Sequence, residues 1–292
     1  MKNKSYQKGI LALLSGSFLF ALVTVINRFI PQEIGVFYQL FIKVLMVSLI
    51  FLVMTIFTKS FSVIERTDWP LIIFRGTLYA VDFAAFFFAV TRLPLGTTLF
   101  LFYAGSVTTS FIYGYFILHE HLTKVKVGSL LLAITGLYFI YSSNLNFQNL
   151  AILLAVISGA CFGTQTSASK NLTDKYSINQ VNLVSYFVAV VTSLIFLVLS
   201  QEKIFLNVGL AGWLSFFIFS LANVGALYLT IYGFKYVEAQ KASLILLAEI
   251  VFASIIGYIF YHEAQNITTV IGGIFIILAL AVPNLSLLNK SN

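Results

Sequence analysis

Ten stretches of about 20 predominantly apolar residues follow one another along the chain, a length that crosses the hydrocarbon core as a helix. They lie at 9–27, 36–57, 70–91, 97–118, 125–142, 149–169, 180–199, 210–233, 240–260 and 267–286. Lipid offers the backbone no hydrogen-bond partner, so each stretch must satisfy its own N–H and C=O groups by becoming a helix. The breaks between them are short, marked by Pro31, Pro94, Gly96 and the polar 144–149. They leave no room for a soluble domain. Composition agrees: 60% of residues are hydrophobic and 9% charged, against about 25% charged in soluble domains. The expected fold is an all-α polytopic membrane protein with the lipid bilayer as its surroundings.

The net charge of +7 does not imply a nucleic-acid partner. Its basic residues sit singly or in pairs beside apolar runs, the placement by which membrane proteins set their orientation. The single cysteine, Cys161, excludes an internal disulfide and sits in an apolar run as a small packing residue. Lys2, Lys4 and Lys8 before the first run resemble a secretory signal, but no small-x-small cleavage site precedes Asn27. The run is read as a retained first helix.

The chain also reads as though written twice. Ser15-Gly16 in the first run returns as Ser158-Gly159 in the sixth. His119-Glu120 after the fourth returns, at the same separation, as His262-Glu263 after the ninth. The hexapeptide from Ser48 to Val53 recurs from Ser193 to Val198. Two units follow, 1–143 and 144–292, each with five helices. With the N-terminus in the cytoplasm, only Arg28, Arg92 and Lys203 fall at helix ends on the external side, and most other Lys and Arg fall inside. That excess places both termini in the cytoplasm. Five helices per unit is odd, so the second unit enters from the opposite side. An inverted repeat is a construction plan of solute carriers, with a site between the halves.

The stretch from the ninth run into the tenth reads Ala239 to Glu249, then Gly257, Glu263 and Gly272. With the looser counterparts Gly114, Glu120, Gly128 and Gly136, this resembles the EamA family of the drug/metabolite transporter (DMT) superfamily over nearly the whole chain. Ile250 and Val107 stand where that family usually has proline, and Ser106 stands opposite Glu249. The resemblance implies ten helices and carrier function. It does not imply a substrate, although some relatives carry S-adenosylmethionine.

Four charged residues fall well inside the runs, away from their first and last residues: Lys43, Arg75, Asp82 and Glu249. Each costs about 2.5–3.5 kcal/mol at a helix centre on the insertion scale, which is tolerated beside a partner or a wet cavity. Arg75, Tyr79, Asp82 and Phe86 share one helical face, and Arg75 is near enough to the cytoplasmic end to snorkel. Gln39 and Lys43 share another. Stripes also run through Ser17, Phe20, Thr24 and Asn27, through Phe102, Ser106 and Thr109, and through Ser158, Cys161 and Gln165. The expected substrate-binding set is Lys43, Arg75, Tyr79, Asp82, Phe102, Ser106, Gln165, Asn223 and Glu249, with Asp82 and Glu249 the candidates for proton coupling. Two plainer readings stand beside it. Ser and Thr stripes also glue helices together, and the acids also serve as salt-bridge partners of Lys43.

His119-Glu120-His121 invites a metal reading, but histidines two apart do not share a helix face. A capping or solvated role at the boundary fits better, so no metal and no cofactor are expected. Walker, dinucleotide and Gly-x-Ser-x-Gly motifs are missing, so neither an ATP-driven pump nor a familiar intramembrane hydrolase is indicated and no enzyme is expected. The expectation is a secondary transporter of the bacterial inner membrane working by alternating access. Its cargo would be a small polar metabolite charged at both ends: zwitterionic and amino-acid-like, with S-adenosylmethionine-type substrates as a subset. A channel or a non-transporting sensor or scaffold is the alternative. Oligomeric state is not written in the sequence.

Overall fold

The computed structural model describes residues 2–31, 33–93, 95–141, 149–204, 208–262 and 266–288. The helices are α1 (Lys2–Ile26), α2 (Val36–Phe57), α3 (Trp69–Val90), α4 (Leu95–Phe116), α5 (Lys124–Tyr141), α6 (Asn149–Thr173), α7 (Ile178–Ser200), α8 (Gly209–Tyr236), α9 (Ala239–Leu246), α10 (Ala248–Tyr261) and α11 (Ile267–Leu288). Among the described residues, ten spans are long and apolar enough to cross a membrane, the ninth being α9 and α10 together. Large side chains such as Phe57, Leu199, Leu210 and Phe260 lie exposed on the outside, as lipid-facing residues do.

Packing follows the repeat. α1 lies along α8, and their counterparts α6 and α3 lie together. α4 packs along α6, and the ninth span packs along α1. α2 with α7 and α5 with α11 pair with their own counterparts. The backbone repeats too. Among the described residues, the four non-glycine residues with left-handed φ are Lys59 (48°), His119 (54°), Gln201 (54°) and His262 (52°). They form two repeat-related pairs at helix ends. His262 caps α10, its N–H bonding the Gly257 carbonyl. Its neighbour Glu263 lies outside the described residues.

α4 and α6 approach each other backbone to backbone. A Cβ at Gly159 would collide with the Phe102 carbonyl, and one at Gly163 with the Ser106 carbonyl. Small residues let two backbones meet where no hydrophobic force draws helices together.

One element departs from expectation. The ninth span is two helices, broken at Leu247 without a proline. Leu247 N–H bonds the Leu244 carbonyl (3.2 Å) and Ile250 N–H bonds the Leu247 carbonyl (3.0 Å), so the helix tightens into i→i+3 bonds at this point. The counterpart α4 is continuous through Ser106 and Val107.

Candidate functional site

The face of α3 predicted from spacing points into the bundle. Arg75 does not snorkel; it is fully buried. A guanidinium has five N–H donors, and each is engaged. Nε donates to the Gln165 carbonyl (3.1 Å). The terminal nitrogens donate to the Val181 carbonyl (3.3 Å), Ser185 Oγ (2.8 Å), Tyr79 Oη (3.3 Å) and Asn182 Oδ1 (3.0 Å). Arg75 thus ties α3 to α6 and α7. The Tyr79 ring lies 4.7 Å from that of Tyr186, centroid to centroid.

Two turns on, Asp82 is half-buried. Its Oδ1 accepts from Ser158 Oγ (2.7 Å) and its Oδ2 from Gln165 Nε2 (3.3 Å). Gln165 is itself fully buried, and its Oε1 has no partner. The next turn carries Phe86, whose ring packs edge-on against Phe102 at 5.4 Å. Phe102 also meets Phe162 at 5.5 Å.

Lys43 on α2 is 5% exposed and, among the described residues, has no salt-bridge partner. Its Nζ donates to Asn27 Oδ1 (2.7 Å) and Gln39 Oε1 (3.2 Å) and lies 4.7 Å from the Phe219 ring and 5.7 Å from that of Phe83. The salt-bridge reading is therefore corrected: its partners are neutral oxygens and aromatic faces. Both Lys43 and Asp82 lie about 10–12 Å from the helix ends opposite the N-terminal face, at 1.5 Å per residue.

Glu249 sits in the first turn of α10, two residues beyond the break, and is half-buried. Tyr103 of α4 is its side-chain partner and Tyr141 of α5 a further phenolic neighbour. An acid at a helix N-terminus is favoured by the helix dipole. Ser106, buried on α4, lies at the α6 seam, where its carbonyl accepts from Thr109 Oγ1 (3.2 Å). Asn223 on α8 is half-buried with Oδ1 unpartnered.

Of the predicted residues, Arg75, Tyr79, Gln165 and Asp82 are linked; Phe102 adjoins Glu249 through its neighbour Tyr103, with Ser106 one turn further along the α4–α6 seam; Lys43 and Asn223 are joined to neither set by a hydrogen bond or ring contact among the described residues. Sequence reasoning missed Asn182 and Ser185, although polar residues inside the apolar seventh run were a usable signal. Tyr103, Phe83 and Phe219 gave none, since such rings are ordinary in a chain that is 16% aromatic.

The model of the EamA-like transporter family matches twice, at residues 7–142 and 149–285. The chain belongs to the EamA-like transporter family. It is a multi-pass membrane transporter, and a small-molecule substrate is implied. It is 24% identical over 283 residues to the pseudopaline exporter CntI of Pseudomonas aeruginosa, covering 94% of each chain. It is 25% identical over 213 residues to an uncharacterized transporter of Clostridium kluyveri, covering 70% of this chain and 68% of that one. A crystal structure with TM-score 0.80 and 16% identity matches over 100% of both chains, a likeness of fold.

Proposed function

We propose that this EamA-family chain is a secondary carrier of a small zwitterionic, amino-acid-like metabolite in the bacterial inner membrane, with both termini cytoplasmic. Its halves, 1–143 and 144–292, rock about a midplane site. The observation that carries the reading is the coexistence of uncompensated opposite charges in one bundle. Among the described residues, Lys43 is buried without a salt-bridge partner, and the donors to Asp82 are the neutral Ser158 and Gln165. Buried charges are tolerated when a partner arrives, and a zwitterion brings one for each.

Lys43, whose Nζ uses two of its three N–H donors among the described residues, receives the cargo carboxylate. Asp82 or Glu249 receives its ammonium, and the other acid is available to carry a proton. Phe102, Gln165, Asn223 and Ser106 complete the lining, and Tyr79 backs Asp82. Arg75, with its donors occupied, positions Gln165 and leaves the carboxylate to Lys43. S-adenosylmethionine-type cargo fits the same charges and adds a ring for the phenylalanines. One relative's name as an exporter supports outward transport.

The test is a thermal-shift screen of the purified protein against zwitterionic metabolites, since a ligand that binds the folded state stabilises it. A hit whose shift disappears in Lys43→Gln and Glu249→Gln, with both variants folded, supports the assignment. Unchanged affinity in both rejects it. Uptake of the hit with and without a pH gradient decides proton coupling; equal uptake removes it.

A further inference from the structure

At the N-terminal face, a buried carboxylate joins the halves at the start of the site-bearing span. His119 turns the chain at the end of α4, and Glu120 N–H bonds the Gly114 carbonyl (2.8 Å), fixing Glu120 beneath the helix end. The Glu120 side chain is 6% exposed. Its Oε1 accepts from Lys170 Nζ on α6 (2.9 Å) and from Ala239 N–H (2.7 Å), and its Oε2 from Gln240 N–H (3.3 Å). Ala239 and Gln240 open α9, where backbone donors lack helical partners and the dipole favours an anion. Lys170 also donates to the Val237 carbonyl (3.1 Å). Beside this set, Lys126 of α5 pairs with Glu238 at 3.2 Å. Gly114 makes room: a Cβ there would stand 2.8 Å from Glu120 Oε2 and 3.0 Å from Gln240 Cγ.

Every residue of α9 is buried, and its far end is the Leu247 turn that precedes Glu249. The short helix is a strut with Glu120 at one end and the candidate site at the other.

We propose that Glu120 is a positioning residue of the transport cycle. It holds α9 against α6 while the N-terminal face is shut, and opening of that face releases its bonds to Lys170 and to the start of α9. The inference rests on the alternating-access reading and on no particular cargo.

The test uses labelling by a membrane-impermeant maleimide in a Cys161→Ser background. Ser243→Cys reports on α9, where Ser243 is 3% exposed, and Thr24→Cys reports on the opposite side of α1, where Thr24 is exposed. Glu120→Gln and Lys170→Met are each expected to raise the Ser243→Cys labelling rate about tenfold, the shift from losing a charge-assisted bond worth about 1.4 kcal/mol. Glu65→Gln, which removes an exposed ion pair with Lys175 on the same face, is expected to leave it unchanged. If Glu120→Gln fails to fold, Lys170→Met carries the test alone. No rise in folded latch variants, or an equal rise in Glu65→Gln, overturns the proposal. A rise at Ser243→Cys with a matching fall at Thr24→Cys upholds both the latch and alternating access. A rise without the fall shows that Glu120 holds α9 but rejects the rocking of the halves, and with it the role of Glu120 in a transport cycle.

Discussion

Arg75 and Asp82 share one face of α3 but are joined through Gln165, not to each other. The Gln165 carbonyl accepts from Arg75 Nε at 3.1 Å, and its side-chain amide donates to Asp82 Oδ2 at 3.3 Å. The donors of Arg75 are consumed by structure, whereas the carboxyl of Asp82 meets the uncharged donors Ser158 and Gln165. This division separates a residue that builds the site from one that works in it, and it yields opposite expectations for their substitution.

Asp82→Asn retains a hydrogen-bonding oxygen for Ser158 and removes the charge. Transport is expected to fall by about tenfold or more, since a charge-assisted contact is worth about 1.5–3 kcal/mol. The melting temperature should hold or rise, because a buried charge costs stability in the membrane. A lower melting temperature with transport retained would contradict the assignment.

Arg75→Met is expected to act the other way. It strands buried acceptors on α6 and α7, each costing about 1–3 kcal/mol when unsatisfied. Thermal unfolding in detergent should drop sharply. Arg75→Lys should recover little, because one ammonium cannot span the same fork of acceptors. Full stability in Arg75→Met would show that the knot is dispensable.

Gly159→Leu tests the α4–α6 seam. Any side chain there meets the Phe102 backbone carbonyl, which cannot rotate away. The expected loss is about 1–3 kcal/mol or more, as for overpacked cores. Gly128→Ala on α5, where a Cβ meets nothing within 4 Å, is the matched control and should be neutral.

At the N-terminal face, the Tyr176 hydroxyl (2.8 Å) and then Lys175 hold the Asp68 carboxyl below its usual range. A lowered folded-state value means that this contribution is present above the unfolded value of about 3.9 and is lost as pH falls through the folded one. Lys175 is raised by Asp68 and Glu65, so its share is present below its unfolded value and fades as pH rises through the folded one. Melting curves between about pH 3 and 7 should therefore fall more steeply on the acid side for the native chain than for Asp68→Asn. Parallel curves would refute the linkage.

The spans and the α3 and α2 faces were legible because helical periodicity dictates which residues share a side. Partners were not, because they come from distant segments. Arg75 looked like a substrate ligand until Asn182 and Ser185 of the other half filled its donors. The break before Glu249 left no proline to announce it. The paired His-Glu motifs were readable as helix ends, but the contact between Glu120 and α9 depends on Gly114 and a helix 120 residues away.

The most direct measurement is counterflow in proteoliposomes, using a compound that stabilises the purified protein. The account predicts saturable exchange by the native chain and its loss in Glu249→Gln and Lys43→Gln, with both variants folded. Non-saturable flux, or exchange unchanged in both variants, would contradict it.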